Sequence, residues 1–230
     1  MSNIANNLDK VCQQTAAAAS TAGRAVTEIT LLAVSKTRPA ADIRAAYAEG
    51  QHNFGENYLQ ESLLKIAELS DLDIQWHFIG PLQSNKTRAV AENFHWVHTV
   101  DRLKIAQRLS AQRPDTMPPL NICIQVNISE EASKSGCSPA EVKALVDATT
   151  RLPNIVVRGL MAIPKATDNR EDQLTVFRKM KALQLELQQD HPQLDTLSMG
   201  MSGDMETAIA AGSTIVRIGT AIFGPRAPKT

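Results

Sequence analysis

The sequence has no excess of charge of either sign: 24 Lys+Arg stand against 24 Asp+Glu, for a formal net charge of zero. A balanced chain projects no long-range field that would gather polyanions or lipid head groups, so neither nucleic acid nor a membrane is expected as a partner. Cysteine is scarce, with Cys12, Cys123 and Cys137 scattered and forming no CxxC pair or zinc-type cluster with histidine. They read as free thiols of a reducing compartment, and no metal is expected. No apolar run approaches the roughly 20 residues that span a bilayer, and residues 1–10 lack the apolar core of a signal peptide. A cytoplasmic protein is expected. Nor is there a long polar or Pro/Gly-rich stretch to divide the chain, and 43% apolar composition over 230 residues suffices for one large core. The expectation is a single domain over residues 1–230.

What is present is alternation. Short β-branched or apolar runs occur at 29–34, around 52–54, and at 75–79, 96–100, 122–128, 156–163, 196–199 and 215–218. Between them lie Ala/Leu/Lys/Glu-rich stretches with apolar residues at helical spacing, such as 58–69, 140–151 and 173–189. Strand and helix in turn are the mark of parallel βαβ units. Right-handed crossovers leave a closed eightfold barrel and an open doubly wound sheet as the two arrangements, and the count of eight favours the (β/α)8 TIM barrel. An alanine-rich helix over 4–19 precedes the first strand and is expected to pack on the barrel as an extra element. After the last strand, a short segment with Pro225 and Pro228 is expected to carry nothing folded.

In such a barrel the functional residues sit where the strands end. Strand one runs into Ala33-Val34-Ser35-Lys36-Thr37-Arg38-Pro39. Lys36 reads either as the first solvated residue or as an amine at a partly desolvated mouth, where the ammonium is disfavoured and the neutral amine condenses with aldehydes. Strand seven is followed by Ser198-Met199-Gly200-Met201-Ser202-Gly203-Asp204 and strand eight by Gly219-Thr220. Glycines beside hydroxyls at the start of helices can hold an anion on backbone N–H groups, and barrels commonly build a phosphate site from these two loops. Met199, Gly200, Ser202, Gly219 and Thr220 are the candidate lining; the alternative for the first loop is a plain turn with Asp204 as helix cap. Arg217 shares a strand face with Gly219, directed to the barrel interior or mouth. It either pairs with a carboxylate such as Asp204 or Glu206, or donates to the pyridine nitrogen of pyridoxal phosphate.

Six segments, in order, closely resemble one family. They are Ala33-Val34-Ser35-Lys36-Thr37, Phe54-Gly55-Glu56-Asn57-Tyr58, Trp76-His77-Phe78-Ile79-Gly80, Leu82-Gln83-Ser84-Asn85-Lys86, Ser198-Met199-Gly200-Met201-Ser202, and the run from Arg217 through Ile218-Gly219-Thr220-Ala221-Ile222-Phe223 to Gly224. The family is that of the pyridoxal phosphate homeostasis proteins (YggS/PROSC type), relatives of the alanine racemase N-terminal domain and of the fold-type III enzymes. The resemblance implies pyridoxal 5′-phosphate (PLP) as a Schiff base on Lys36, phosphate contacts from Ser202, Gly219 and Thr220, and Arg217 at the pyridine nitrogen. Asn57 then reads as a partner of the ring's phenolic oxygen or of the lysine, or as a turn residue. His77 reads as a lining residue or as a satisfied core histidine.

Three functions follow from different classes. A carrier would buffer PLP and deliver it to PLP-dependent apo-enzymes, acting as a monomer without robust turnover and with no catalytic residue of its own. A racemase would need a base on each face of its substrate. The racemases resembled take the second from a tyrosine of a C-terminal domain, which Tyr47 and Tyr58 are not expected to replace. The third is a barrel for a phosphorylated sugar, which Lys36 and Arg217 together disfavour. The carrier is the expected function.

Overall fold

The eight runs form eight parallel strands that close into a barrel in sequence order, β1 (Thr30–Val34), β2 (Asn53–Glu56), β3 (Gln75–Phe78), β4 (Trp96–Val100), β5 (Leu120–Gln125), β6 (Ile155–Met161), β7 (Thr196–Ser198) and β8 (Ile215–Ile218). Closure is the pairing of β1 with β8, from Thr30 opposite Ile215 to Ala33 opposite Ile218. The computed structural model describes residues 4–131 and 134–225. Pro228 lies outside them.

The helices are α1 (Ile4–Thr21), α2 (Ala40–Ala48), α3 (Leu59–Glu68), α4 (Thr87–Asn93), α5 (Leu103–Gln112), α6 (Pro139–Thr149), α7 (Arg170–Gln188), α8 (Met205–Ala210) and α9 (Thr220–Phe223). The alanine-rich N-terminal stretch is indeed an added helix. Ile4, Leu8, Val11, Thr15 and Ala19 recur at helical spacing and are buried, and α1 packs on α8 and α9, where Asn7 Nδ2 donates to Ile222 O at 3.0 Å. Helix α7 starts three residues before its apolar pattern because the Asn169 side chain accepts from Glu171 N and Asp172 N.

Strand five departs from its expected span of 122–128. It begins at once after Pro118 and Pro119, which have no N–H for a ladder. It ends before Asn127, whose Nδ2 donates to Glu131 O and whose Oδ1 accepts from Glu131 N. Strand six ends at Met161, two residues short of the expected 163.

Most of the core lies between the sheet and its helices. Inside the barrel, where bulky apolar layers are usual, the described residues form a small separate cluster of Leu32, Ile79 and Ile215 with Val34 beside it. The buried polar side chains of His77, His98, Ser198 and Arg217 define the site there.

Candidate functional site

Lys36 follows β1 at the C-terminal mouth, and the backbone on either side of it is held by one buried cluster. Lys65 Nζ, on α3, donates to Ser35 O at 2.8 Å, to Glu56 Oε1 at 2.8 Å and to Glu61 Oε1 at 2.5 Å. Ser35 Oγ donates to Glu56 Oε1 at 2.6 Å, and Thr37 N to Glu61 Oε1 at 2.6 Å. Thr37 sits at φ 63°, a left-handed conformation that a β-branched residue rarely takes. The carboxylate bond to Thr37 N thus holds a strained turn next to Lys36. Burial pushes the Glu56 carboxyl up despite Lys65 beside it, and Glu56 Oε2 has no hydrogen-bond partner among the described residues.

Across the mouth, the loop after β7 runs beside β8, with Arg217 N donating to Gly200 O at 3.0 Å. Gly200 is required there: φ is 96°, and a Cβ would stand 2.6 Å from that of Ala208. Gly219 lets the chain pass β1, since its Cβ would come within 3.2 Å of Val34 O. Among the described residues, Ser202 N, Gly203 N, Thr220 N and Ala221 N have no recorded acceptor, as expected for N–H groups at helix starts. The Ser202 and Thr220 hydroxyls lie exposed beside them. Asp204 caps nothing by its side chain; its Oδ1 accepts from Met201 N at 2.5 Å and shapes the loop.

Arg217 forms no ion pair with Asp204 or Glu206. It is 5% exposed, and its guanidinium donates to Ser198 O (2.7 Å), Ser198 Oγ (2.8 Å) and Ala162 O (2.9 Å), fixing it at the ends of β6 and β7. Burial lowers it to about 10, so it stays protonated at neutral pH. From Ser198 a hydrogen-bonded chain crosses the interior: Ser198 Oγ to His98 Nδ1 (2.8 Å), His98 Nε2 to His77 Nδ1 (2.9 Å), His77 Nε2 to Asn53 Oδ1 (3.1 Å). Burial, with the neighbouring His95, holds His77 down at about 3. Burial, with His77 and Arg217, holds His98 well below its ordinary value.

These rings have a consequence for stability. Both are held below the unfolded 6.5, His77 at about 3, so as pH falls below 6.5 the unfolded chain binds protons the native chain does not. Stability should fall with added acid by up to about 1.4 kcal/mol per pH unit for each ring. Urea unfolding at pH 7 and pH 5 measures the slope. A His77→Gln/His98→Gln variant should show a shallower one, and an unchanged slope would assign the acid sensitivity to carboxylates instead.

Two sequence expectations are corrected. His77 does not line the mouth: it is 1% exposed, stacks on Trp96 with planes 6° apart, and has both ring nitrogens engaged. Met199 does not line it either. Strand alternation turns its side chain into the outer core, and its backbone N and O are taken by Ile215 O and Ser213 Oγ. The structure does bring Lys36, Gly219 and Thr220 together around one small cavity with Val34, Arg38 and Phe223. Asn57 lines a cavity of about 250 Å³ with Ile79, Thr99 and Gln125, and its Oδ1 is buried without a partner among the described residues. Ser202 is exposed and lines a separate cavity with Gly203, Asp204, Asp168 and Arg170. Sequence reasoning missed Asn53, His98, Ser198, Glu61 and Lys65. At the C-terminal ends of the strands stand an amine, a fixed guanidinium, and backbone donors and an amide oxygen that lack partners among the described residues; their chemistry suits the aldehyde, pyridine nitrogen, phosphate and phenolic oxygen of PLP. Among the described residues no group of three or more His, Cys, Asp or Glu comes together as a metal would need.

Comparison with known proteins agrees. A family model described as "Alanine racemase, N-terminal domain" matches residues 4–227. The "Pyridoxal phosphate homeostasis protein" of Pseudomonas aeruginosa is 59% identical over 98% of this chain and 97% of its own. That of Escherichia coli is 55% identical over 98% of each. PipY of Synechococcus elongatus, solved without and with PLP, is 39% identical, with TM-scores of 0.86 and 0.82 over 96% of this chain and 100% of its own. Alanine racemase of Corynebacterium glutamicum, at 19% identity and a TM-score of 0.66, shares the fold over 62% of its length. With its barrel, its mouth and its near-full-length relatives in agreement, the chain belongs to the pyridoxal phosphate homeostasis protein family.

Proposed function

We propose that this chain binds PLP at the barrel mouth and serves intracellular vitamin B6 homeostasis by buffering the cofactor and delivering it to PLP-dependent apo-enzymes. The observation that carries this reading is the meeting of Lys36 with Gly219 and Thr220 around one small cavity, where Thr220 N has no acceptor among the described residues. Bound PLP supplies an aldehyde and an electron-withdrawing pyridine ring. Lys36 would hold the aldehyde carbon, on a turn fixed by Glu56, Glu61 and Lys65. The N–H groups and hydroxyls near Ser202, Gly219 and Thr220 would hold the phosphate, and Asn57 would stand toward the phenolic oxygen. Arg217 meets the ring nitrogen as a donor that keeps its proton. A ring nitrogen left unprotonated withdraws electrons weakly, which disfavours fast amino-acid chemistry. Tyr47 packs on His52 at the far end of α2, away from the mouth, and Tyr58, in the loop after β2, is 53% exposed.

Two further parts of this reading have support. Cys12, Cys123 and Cys137 are free thiols, and burial pushes Cys123 up to about 12 and Cys137 to about 11, as suits the reducing cytoplasm. No helix among the described residues is long and apolar enough to cross a membrane. Of the exposed large apolar residues, Val26, Leu64 and Leu185 come from separate elements, and Tyr58, Ile163 and Met201 stand in the loops after β2, β6 and β7; sedimentation velocity tests the monomer that belongs to this reading.

Borohydride reduction of the loaded protein followed by peptide mass mapping should place the adduct on Lys36, and Lys36→Ala should lose it. An adduct on Lys86, Lys134 or Lys165 would refute the assignment. In heavy water, α-hydrogen exchange of L- and D-amino acids should stay far below the usual enzyme range of about 1–1000 per second. Saturable exchange within that range, lost in Lys36→Ala, would make the protein an enzyme.

A further inference from the structure

The polar chain inside the barrel has a direction. Arg217 carries only donors, so its bond to Ser198 Oγ at 2.8 Å makes that oxygen an acceptor. At the other end Asn53 Oδ1 only accepts, so His77 Nε2, 3.1 Å away, carries a proton. A neutral imidazole has one donor and one acceptor nitrogen, and the remaining protons follow. His77 Nδ1 accepts from His98 Nε2–H at 2.9 Å, and His98 Nδ1 accepts from the Ser198 hydroxyl at 2.8 Å. In this chain of five side chains from β2, β3, β4, β7 and β8, Ser198, His98 and His77 thus point their protons away from Arg217 and leave Ser198 Oγ a lone pair for the guanidinium. The Trp96 ring, stacked on His77 at 5.4 Å, and the backbone acceptors Ser198 O and Ala162 O remove the freedom that is left.

We infer that His98 and Ser198 are positioning residues that act through Arg217: their one-way hydrogen-bond chain fixes the guanidinium in the orientation that meets the cofactor's ring nitrogen. The inference rests on the assignment of Arg217 to that nitrogen made above. A guanidinium left to its two backbone acceptors would still be anchored, but its aim would no longer be set from three sides. Serine and neutral histidine also do this without placing a second charge in the interior, where it would oppose Arg217.

The first test needs no cofactor and no substitution. Nitrogen-15 NMR of labelled histidines at pH 7 should show His77 and His98 neutral, each with its proton on Nε2; a proton on Nδ1 of either ring, or a mixture, overturns the inference. The second follows the ring-nitrogen resonance of nitrogen-15-labelled PLP on the loaded protein. Ser198→Ala and His98→Leu should move it toward that of an unbonded pyridine. His98→Asn, which keeps an acceptor for the Ser198 hydroxyl, should restore much of the original position. A resonance unmoved by Ser198→Ala and His98→Leu but moved by Arg217→Gln overturns the role of the chain and leaves Arg217 in place. One unmoved by Arg217→Gln as well removes Arg217 from the ring nitrogen, and the inference with it, while the Lys36 adduct decides separately whether PLP is held.

Discussion

Lys65→Met should cost this protein about 3–5 kcal/mol of stability at pH 8, the usual loss when one partner of a buried ion pair is removed. The Lys65 side chain is 7% exposed and that of Glu56 fully enclosed. Without the ammonium, Glu56 keeps only the Ser35 hydroxyl at 2.6 Å as a partner. The loss should depend on pH in a stated direction. Burial already raises the Glu56 carboxyl above its ordinary 4.5, and removing Lys65 raises it further. The folded variant then holds a proton that the unfolded chain releases above pH 4.5. Its stability therefore declines as pH rises from that value toward the raised folded one. Urea unfolding of parent and variant at pH 5 and pH 8 should show a small deficit at the lower pH and the full deficit at the higher. Equal deficits at both, or a loss below about 1 kcal/mol, would mean that Glu56 is not the charge Lys65 serves. Because the same ammonium anchors Ser35 O and holds Glu61 against Thr37 N, the variant should also capture PLP more slowly on Lys36. Glu56→Leu/Lys65→Met should regain much of the stability, since an apolar pair leaves no buried charge alone.

The barrel was legible because each strand of a parallel sheet covered by helices is a short apolar run, and eight such runs show in one sequence. Lys36 and the glycines of the mouth were legible for a related reason: they stand where an apolar run stops. Arg217 could be placed on an interior face by alternation, but its partners could not. Ser198, His98, His77 and Asn53 meet only because the strands are staggered around a closed barrel, and stagger leaves no mark in any one strand. His98 did leave a trace, as a polar residue two positions from Trp96 on the same strand face. The shift of register between Val97 and Val100 breaks that alternation just beyond it. His77 stood between two readings for the same reason, because an inward histidine in an apolar strand can face a ligand or another side chain. Which it faces depends on the neighbouring strand. The Glu56, Glu61 and Lys65 cluster was half visible, since Glu61 and Lys65 are spaced i, i+4 on α3. That they close on the turn at Lys36 is a fact of helix packing.

Removing both mouth hydroxyls should weaken non-covalent binding of PLP by about 10²–10³-fold, or roughly 3–4 kcal/mol. Hydrogen bonds to a charged group contribute roughly 1.5–3 kcal/mol each. Ser202 and Thr220 would serve the same phosphate, so their losses should not add in full. The backbone donors at Ser202, Gly203, Thr220 and Ala221 survive the substitutions and should keep the remaining affinity measurable. The covalent bond to Lys36 would hide the effect, so the comparison is made between Lys36→Ala and Lys36→Ala/Ser202→Ala/Thr220→Ala, titrated with PLP by fluorescence. Pyridoxal, which has the same ring and aldehyde but no phosphate, provides the control and should bind both proteins equally. Gly200 and Gly219 stay untouched, because a Cβ at either would shift the loops themselves and confuse a lost contact with a lost shape. A PLP affinity that changes by less than about threefold would move the phosphate away from the loops after β7 and β8. An equal loss for pyridoxal would instead mean that the two hydroxyls act on the ring or on the fold of the mouth.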